Sequence, residues 1–319
     1  ITISTSSFSS ELTLVARSLP PTMSAPAFSA SVSSSPPAKT AILTVLPEPL
    51  GRETVVRMFC SGSFVSIFNE KTIFVWPEGI LSNSSKEDLI KYSRLFSEKF
   101  SEKHLIMIGI NSEQIKNGTK QYFNTLSIYD NQLNLLNYYN KINLVPFGEF
   151  LTFEKILSTF GLRSLTNNYQ SFSAGNKRSV IEINQKNFLL KILPLICYEI
   201  IYSGKLFHKT DFDLIINISE DGWFGQSIGP EQHFVHSIFR AIESGKYVAR
   251  SSNNGIAAII NPLGIIEQSV KLGQSGYVDL KEIRKIQPTI FSIYGNKIFG
   301  LLILLYIFLI FSFNRINNE

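Results

Sequence analysis

Three side chains in this sequence could together transfer an acyl group, and each stands beside an apolar run. Glu78 follows the run in "VWPEG", Lys141 lies in "YYNKINLVPFGEF", and Cys197 ends the run in "PLICYE". A thiol attacks acyl carbons well only as the thiolate, and a glutamate in a partly apolar pocket can take its proton. A lysine, helped by a backbone N–H beside the nucleophile, can stabilise the developing oxyanion. The set predicts acyl transfer without a histidine.

Each of these residues has a simpler interpretation when it is considered alone. Cys197 could be a small core residue, because a free cysteine behaves as a small hydrophobe. Glu78 could be a solvated carboxylate at the end of a strand. The combination of a thiol, a carboxylate and an ammonium in three separate segments favours the chemical interpretation.

Other kinds of site have little support. The chain has no G-x-S-x-G motif and no glycine-rich phosphate loop, and its net charge of +5 comes without a dense block of Lys and Arg, so we predict no nucleic-acid partner. Two cysteines do not make a disulfide framework. The four histidines lack a further ligand cluster, so we interpret them as surface or packing residues and predict neither a metal nor a cofactor: His104, His208, His233 and His236.

The elements around these residues alternate between short apolar runs, typical of buried strands, and helical patterns. Predicted strands cover 71–76, 104–110, 187–198 and 213–219, and "YVARSS" and "GIAAIINPLG" give two more. Predicted helices cover 84–100 and 230–246, the second with Pro near its start and Gly at its end. This order predicts an α/β protein whose sheets are covered by helices.

The two ends of the chain differ from this pattern. Residues 298–313 are uncharged and strongly apolar, and the extension back through "TIFSIYGNK" predicts a transmembrane helix within 289–314, with Arg315 at its cytoplasmic end. A buried core helix is the alternative. Residues 1–62 are rich in Ser and Pro, so we interpret them as a segment that is disordered or foreign to the rest of the chain.

Longer stretches of the sequence resemble one known family. Glu78 in "WPE", Lys141 in "NKINLVPFGE" and Cys197 in "CYE" resemble, in this order, the Glu-Lys-Cys triad of the nitrilase (carbon–nitrogen hydrolase) superfamily. The flanking text is similar to one branch, the apolipoprotein N-acyltransferases, in "YNKINLVPFGEF", "PLICYEIIY", "NISEDGWFGQSIGPEQHF" and "RAIESGKYVARSSNNGIAAIINPLG". The resemblance covers roughly residues 65–315.

This resemblance implies an αββα nitrilase-like sandwich over residues 63–288 and an acyltransferase in the bacterial inner membrane, with its catalytic domain on the periplasmic side. Cys197 would take an acyl chain from a phospholipid as a thioester. The chain would then pass to the N-terminal amine of a diacylglyceryl-cysteine on a lipoprotein. Glu78 would be the general base, and Lys141 would stabilise the tetrahedral intermediate.

The resemblance implies further roles for residues near the triad. Glu149 is the additional glutamate of the site, and Tyr198 and Glu199 support the cysteine. The motif "GWFG" matches an aromatic element near the active site, so Trp223 and Phe224 are expected to contact lipid, with loop packing as the alternative.

Two features of the family pattern are not recognisable before "KTIFVW": a bundle of membrane helices and the opening strand of the domain. We therefore expect a shortened or aberrant family member. A nitrilase-type amidase and an inactive membrane-tethered remnant stay open as alternatives to the acyltransferase.

Overall fold

The computed structural model describes most of the chain after residue 70 and two short segments before it. The described residues are 43–45, 54–58, 71–79, 86–116, 118–150, 171–185, 188–204, 211–274, 276, 278–280 and 282–317. The strands are β1 (Leu43–Val45), β2 (Thr54–Met58), β3 (Lys71–Val75), β4 (His104–Lys116), β5 (Thr119–Tyr129), β6 (Leu135–Asn140), β7 (Ile181–Gln185), β8 (Phe188–Ile196), β9 (Leu214–Glu220), β10 (Tyr247–Asn253), β11 (Ala257–Ile260), β12 (Ile266–Val270) and β13 (Val278–Leu280). The helices are α1 (Ser93–Lys99), α2 (Gly229–Ser244), α3 (Ile290–Tyr294) and α4 (Lys297–Asn317), with short 3₁₀ helices at Lys86–Tyr92, Cys197–Ile201 and Asp221–Phe224.

Within the described residues the strands form two sheets. One has seven strands in the order β1-β13-β2-β3-β4-β5-β6, and the other has six in the order β12-β11-β10-β9-β8-β7. Each sheet has a parallel centre, formed by β2, β3 and β4 in the first and by β8, β9 and β10 in the second. The remaining ladders are antiparallel, apart from the parallel pair of β1 and β13.

Alternation of side chains along the strands separates three apolar clusters and fixes the layers. Val75 packs in one apolar cluster with side chains from both sheets and with Cys197, so the two sheets face each other. Phe74 points the other way and packs with Phe96 of α1. Phe234 of α2 packs on the opposite face of the six-stranded sheet, beside Val248. Helices therefore lie outside both sheets, and the predicted nitrilase-like α/β fold is confirmed.

The predicted helix boundaries are partly confirmed. α2 has Pro230 in its first turn and is capped at its C-terminus by Gly245, whose φ of 66° is left-handed, as the predicted Pro near the start and Gly at the end indicated. The helix predicted over 84–100 is instead a 3₁₀ helix followed by α1. Two strands, β1 and β2, lie inside the segment predicted to be disordered or foreign. β2 precedes β3 in the chain and pairs with it in the sheet. The rest of residues 1–62 lies outside the described residues.

The transmembrane helix predicted within 289–314 is not confirmed. The stretch contains two helices, because α3 ends at Gly295, whose φ of 54° breaks the helix before α4 begins at Lys297. A Cβ atom at this position would lie 2.7 Å from the carbonyl oxygen of Gly204, so the close approach requires a glycine. Among the described residues, no helix combines the length and the apolar character needed to cross a membrane.

Candidate active site

Three strand ends bring the three predicted catalytic side chains into one buried site. Glu78 follows β3 and Lys141 follows β6, both in the seven-stranded sheet, while Cys197 follows β8 in the six-stranded sheet. Their exposed fractions are 8%, 1% and 9%. The charges of Glu78 and Lys141 both act on the Cys197 thiol, so the three residues lie near one another where the two sheets face each other.

Four side chains on β5 and on the loops after β3 and β6 form a charged cluster: Glu78, Asn124, Lys141 and Glu149. The Lys141 ammonium lies 2.8 Å from the Glu149 carboxylate and 3.5 Å from that of Glu78. The Asn124 amide donates to both carboxylates. The second oxygen of each carboxylate accepts a backbone N–H, from Glu220 for Glu78 at 3.0 Å and from Val145 for Glu149 at 2.8 Å. Two carboxylates thus share one ammonium.

The proton affinities of Lys141 and Cys197 are set by this environment. Burial alone would lower the pKa of Lys141, but the charges of Glu78, Cys197 and Glu149 outweigh it and raise the pKa above its usual value. Burial, followed by the charge of Glu78, raises the pKa of the Cys197 thiol to about 12, while Lys141 acts in the opposite direction. The resting thiol is therefore protonated and needs a base, which a neighbouring carboxylate can provide.

Cys197 itself stands on a sharp turn between β8 and the 3₁₀ helix. Its φ of 46° is positive, which is uncommon for a residue with a Cβ and costs on the order of 1–3 kcal/mol. Such a conformation persists only when its surroundings hold it. The adjacent backbone N–H of Ile196 donates to the Glu199 carboxylate at 2.9 Å, which is one of these restraints.

Glu199 connects the two loops that carry Cys197 and Lys141. It is fully buried, and its other carboxylate oxygen accepts backbone N–H groups from Ile142 at 2.9 Å and Asn143 at 3.1 Å, just after Lys141. The same oxygen accepts from the Tyr139 hydroxyl at 2.8 Å and faces the Arg178 guanidinium at 3.3 Å. One carboxylate thereby fixes the position of both loops, which is consistent with the predicted supporting role.

Glu78 approaches the backbone of β4 so closely that a glycine is required there. A Cβ atom on Gly109 would lie 2.7 Å from the Cα of Glu78 and 2.8 Å from the carbonyl oxygen of Pro77. The Cδ1 atom of Ile218, from the facing sheet, also lies 2.7 Å from that position. Gly109 was not identified from the sequence, although its place inside the run "HLIMIGI" was a signal of close backbone approach.

The aromatic residues near the site differ in exposure. Tyr198 packs edge-on against Tyr202, with ring centroids 5.5 Å apart. Trp223 is 69% exposed and Phe224 is 40% exposed, and Phe224 also contacts the ring of His233 at a centroid distance of 5.5 Å. The loop-packing alternative therefore applies in part to Phe224, whereas most of the Trp223 surface faces outward.

A buried polar network behind Cys197 was not predicted from the sequence. We call it the backing network, and its members are Asp221, His233, Arg250, Ser219, Ser252 and Asn217. Asp221 accepts hydrogen bonds from the two serines and pairs with Arg250 at 2.7 Å and with the His233 ring at 2.8 Å. Burial opposes the charge of Asp221, but Arg250 and His233 lower its pKa well below the usual value. The sequence feature that could have indicated this network is the arginine inside the apolar run "YVARSS".

Glu220 lies between the charged cluster and the backing network. Its backbone N–H donates to Glu78, and its side chain accepts from the backbone N–H of Gly222 at 2.8 Å and from the amides of Asn253 and Asn254. Burial raises the pKa of Glu220 to about 7, and the charge of Glu78 adds to this effect. The sequence offered no basis for singling out this carboxylate. Among the described residues, no group of three or more His, Cys, Asp or Glu side chains could hold a metal ion.

Known proteins resemble this chain over the part that builds the site. Residues 71–281 match the carbon–nitrogen hydrolase family. The apolipoprotein N-acyltransferase of Rhizobium leguminosarum bv. trifolii is 34% identical over 209 residues, which make up 65% of this chain and 39% of that protein. The apolipoprotein N-acyltransferase of Rickettsia bellii is 36% identical over 251 residues, 77% of this chain and 48% of that protein.

The solved structures with similar folds include Saccharomyces cerevisiae Nit3, a member of branch 10 of the nitrilase superfamily. It is 19% identical, with a TM-score of 0.43 over 64% of this chain and 74% of that chain.

The chain spans less than half the length of the Rhizobium and Rickettsia relatives. Because the family match extends over more than half of its residues, this chain belongs to the carbon–nitrogen hydrolase family.

Proposed function

We propose that this chain carries the catalytic part of an apolipoprotein N-acyltransferase. The observation that carries the proposal is the buried assembly of a thiol, an ammonium and a carboxylate, in which the charges of Glu78 and Lys141 both act on the Cys197 thiol. The names of the two relatives support the choice of an acyltransferase within the family. The catalytic domain would cover residues 63–288.

In the first half-reaction Glu78 takes the Cys197 proton, and the thiolate attacks the ester carbonyl of a phospholipid. The tetrahedral oxyanion is stabilised by the Lys141 ammonium, which its raised pKa keeps charged, and by a backbone N–H beside the nucleophile. Protonated Glu78 then gives its proton to the leaving alcohol oxygen. The products are a lysophospholipid and an acyl thioester on Cys197.

In the second half-reaction the N-terminal amine of a diacylglyceryl-cysteine lipoprotein attacks the thioester. Glu78 takes the amine proton and returns it to the departing thiol, so the enzyme is regenerated and the lipoprotein carries an amide. Glu149 holds Lys141 at 2.8 Å throughout, and Glu199 keeps the two loops in register. Tyr198 supports the cysteine from the next position in the chain.

Both substrates would lie in the bacterial inner membrane, and the site would be on its periplasmic side. The exposed rings of Trp223 and Phe224 lie in the 3₁₀ helix that follows β9 and would offer an apolar edge to lipid. Aromatic rings with exposed faces are suited to the boundary between lipid and water.

The test is a mass measurement of Cys197 after incubation of the full chain with phospholipid. We expect a thioester whose mass matches the donor acyl chain, which is released by hydroxylamine and absent from Cys197→Ala. The matched control is Cys60→Ala, which removes the other cysteine of the chain and should leave the thioester intact.

Two other results would contradict the proposal. Hydrolysis of small amides without any acyl thioester from phospholipid would identify a nitrilase-type amidase. If the chain forms no thioester and turns over no amide, and Cys197→Ala behaves identically, the chain is an inactive remnant.

A further inference from the structure

The peptide between Cys197 and Tyr198 is held from one side by α2. The His233 ring approaches the carbonyl oxygen of Cys197 with its Nε2 atom, at 3.2 Å. Its Nδ1 atom lies 2.8 Å from the Asp221 carboxylate. The ring is buried, so these contacts form in a space largely closed to water.

The two ring nitrogens of His233 face different partners. Nδ1 lies near both the Asp221 carboxylate and, at 3.2 Å, the Arg250 guanidinium. Nε2 faces a carbonyl oxygen, which can only accept, so we assign a proton to Nε2 and a hydrogen bond from it to Cys197. Asp221 is itself fixed by Arg250 at 2.7 Å and by two serine hydroxyls. The donor that faces Cys197 is therefore set on a rigid support.

A hydrogen bond to this carbonyl also determines where the next N–H points. The peptide group is planar and trans, so the Cys197 C=O and the Tyr198 N–H point in opposite directions. α2 packs outside the six-stranded sheet, whereas Cys197 belongs to the apolar cluster between the two sheets. A carbonyl turned toward α2 turns the Tyr198 N–H away from α2, toward the side from which Lys141 and Glu78 approach.

We propose that His233 is a positioning residue that aims the Tyr198 backbone N–H at the oxyanion by binding the Cys197 carbonyl. This inference rests on the proposed acyl transfer through Cys197, because only a tetrahedral intermediate needs that donor. It also explains how the positive φ of Cys197 is maintained, since Glu199 holds the residue before it and His233 holds its carbonyl.

The rest of α2 strengthens the same support. The Arg240 guanidinium donates to the carbonyl oxygen of Ile201 at 3.2 Å, and the Glu243 carboxylate accepts from the backbone N–H of Gly204 at 2.6 Å. These contacts fix the far end of the 3₁₀ helix that begins at Cys197. His233 is the member of α2 that reaches the nucleophile itself.

The kinetic test uses two variants of His233 that each keep a hydrogen-bond donor at the position of only one ring nitrogen. His233→Gln keeps a donor at the position of Nε2, and His233→Asn keeps one only at the position of Nδ1. We expect His233→Asn to form the Cys197 thioester about 100-fold more slowly with an unchanged KM for phospholipid, since misaligned transition-state groups cost on the order of 10²-fold. His233→Gln should restore most of the rate.

Alkylation by iodoacetamide provides the internal control, because attack on a saturated carbon forms no oxyanion. The alkylation rate of Cys197 should be the same in both variants and the wild type. The inference is overturned if both variants lose acylation equally, if alkylation falls together with acylation, or if His233→Asn acylates at the wild-type rate.

A spectroscopic measurement decides the inference without any acyl transfer. Cys197–Tyr198 is the only Cys–Tyr dipeptide in the chain, so labelling cysteine carbonyls with ¹³C and tyrosine nitrogens with ¹⁵N gives a single carbonyl–amide correlation. We expect His233→Asn to move the Cys197 carbonyl resonance upfield and to shift the Tyr198 amide, with His233→Gln close to wild type. An unchanged correlation in His233→Asn would overturn the inference. If the wild type forms no thioester, the proposed function fails, and this spectrum still decides the role of His233.

Discussion

The charged cluster is slightly more exposed than the backing network, and the two differ in how their charges are paired. In the charged cluster, two carboxylates share one ammonium, and Glu78 has the longer contact, 3.5 Å. In the backing network, Asp221 is the single carboxylate. It pairs with Arg250 at 2.7 Å, contacts the His233 ring and accepts hydrogen bonds from two hydroxyls. Coulomb attraction falls with distance, so the ion pair of Asp221 is the stronger of the two.

This difference distinguishes the loosely paired carboxylate of Glu78 from the tightly paired carboxylate of Asp221. The strong pairing of Asp221 lowers its pKa and leaves it a fixed charge. Proton transfer from Cys197 to Glu78 would keep the total charge of the charged cluster and Cys197 constant, because the negative charge would only move from oxygen to sulfur. The charged cluster is therefore suited to chemistry, and the backing network to support.

The largest expected effect tests the first half of this comparison. Glu78→Gln keeps the shape of the side chain and one acceptor oxygen but cannot accept the thiol proton. Loss of a general base costs up to roughly 10⁴-fold in rate, so we expect thioester formation to fall by that order with little change in the free energy of unfolding. The rate is measured by quenched-flow mass spectrometry. The exposed carboxylate Glu182 on β7 provides a control, Glu182→Gln, which should keep the wild-type rate. Near-normal acylation by Glu78→Gln would remove Glu78 from the mechanism.

The next effect should be on stability. Asp221→Asn removes the charge that neutralises Arg250, whose side chain is fully buried. Breaking a buried pair by removing one partner typically costs about 3–5 kcal/mol, because the remaining charge is uncompensated. We expect a loss of this size in the free energy of unfolding, measured by denaturant titration. A variant as stable as the wild type would show that the backing network does not support the fold.

The sequence predicted the charged cluster better than the backing network for a physical reason. Glu78 and Lys141 each lie next to a predicted strand, and their residue types, together with Cys197, indicated a shared chemistry. The backing network depends on sheet pairing: the parallel register of β9 and β10 brings Arg250 beside Asn217, and this register is not readable from local sequence. His233 was interpreted as a packing or surface residue, and its ring contacts come from three other elements.

The same limit applies to the fold. Alternating strands and helices were enough to predict the α/β class, because apolar periodicity is a local property. The order of strands in each sheet depends on contacts distant in sequence, such as β13 lying between β1 and β2. At the C-terminus, apolar composition alone predicted one long helix. The break at Gly295 results from its close approach to Gly204, which composition does not report.

A smaller effect, on the pH dependence of stability, is expected at Glu220, which lies between the charged cluster and the backing network. Burial raises the pKa of Glu220 from 4.5 to about 7, so the folded chain keeps this proton at a pH where the unfolded chain has lost it. The resulting stability is complete below pH 4.5 and is lost as the pH rises through about 7, by roughly 3 kcal/mol. Glu220→Gln, which has no charge to lose, should therefore gain stability relative to the wild type between pH 5 and 8, measured as the difference in the free energy of unfolding. A difference that does not vary with pH would show that Glu220 is ionised throughout.

The smallest effect on stability is expected at Trp223, which comes two positions after Asp221 but points outward. Because its ring is 69% exposed, Trp223→Ala should change the free energy of unfolding by less than about 0.5 kcal/mol. If the ring contacts lipid, the variant should bind phospholipid vesicles more weakly and acylate more slowly from vesicles, while a water-soluble acyl donor reacts normally. Ile115→Ala, which removes a comparably exposed apolar side chain on β4, should leave vesicle binding unchanged. A loss of stability as large as that of Asp221→Asn would instead make Trp223 part of the support behind Cys197, because only a packed ring could contribute that much.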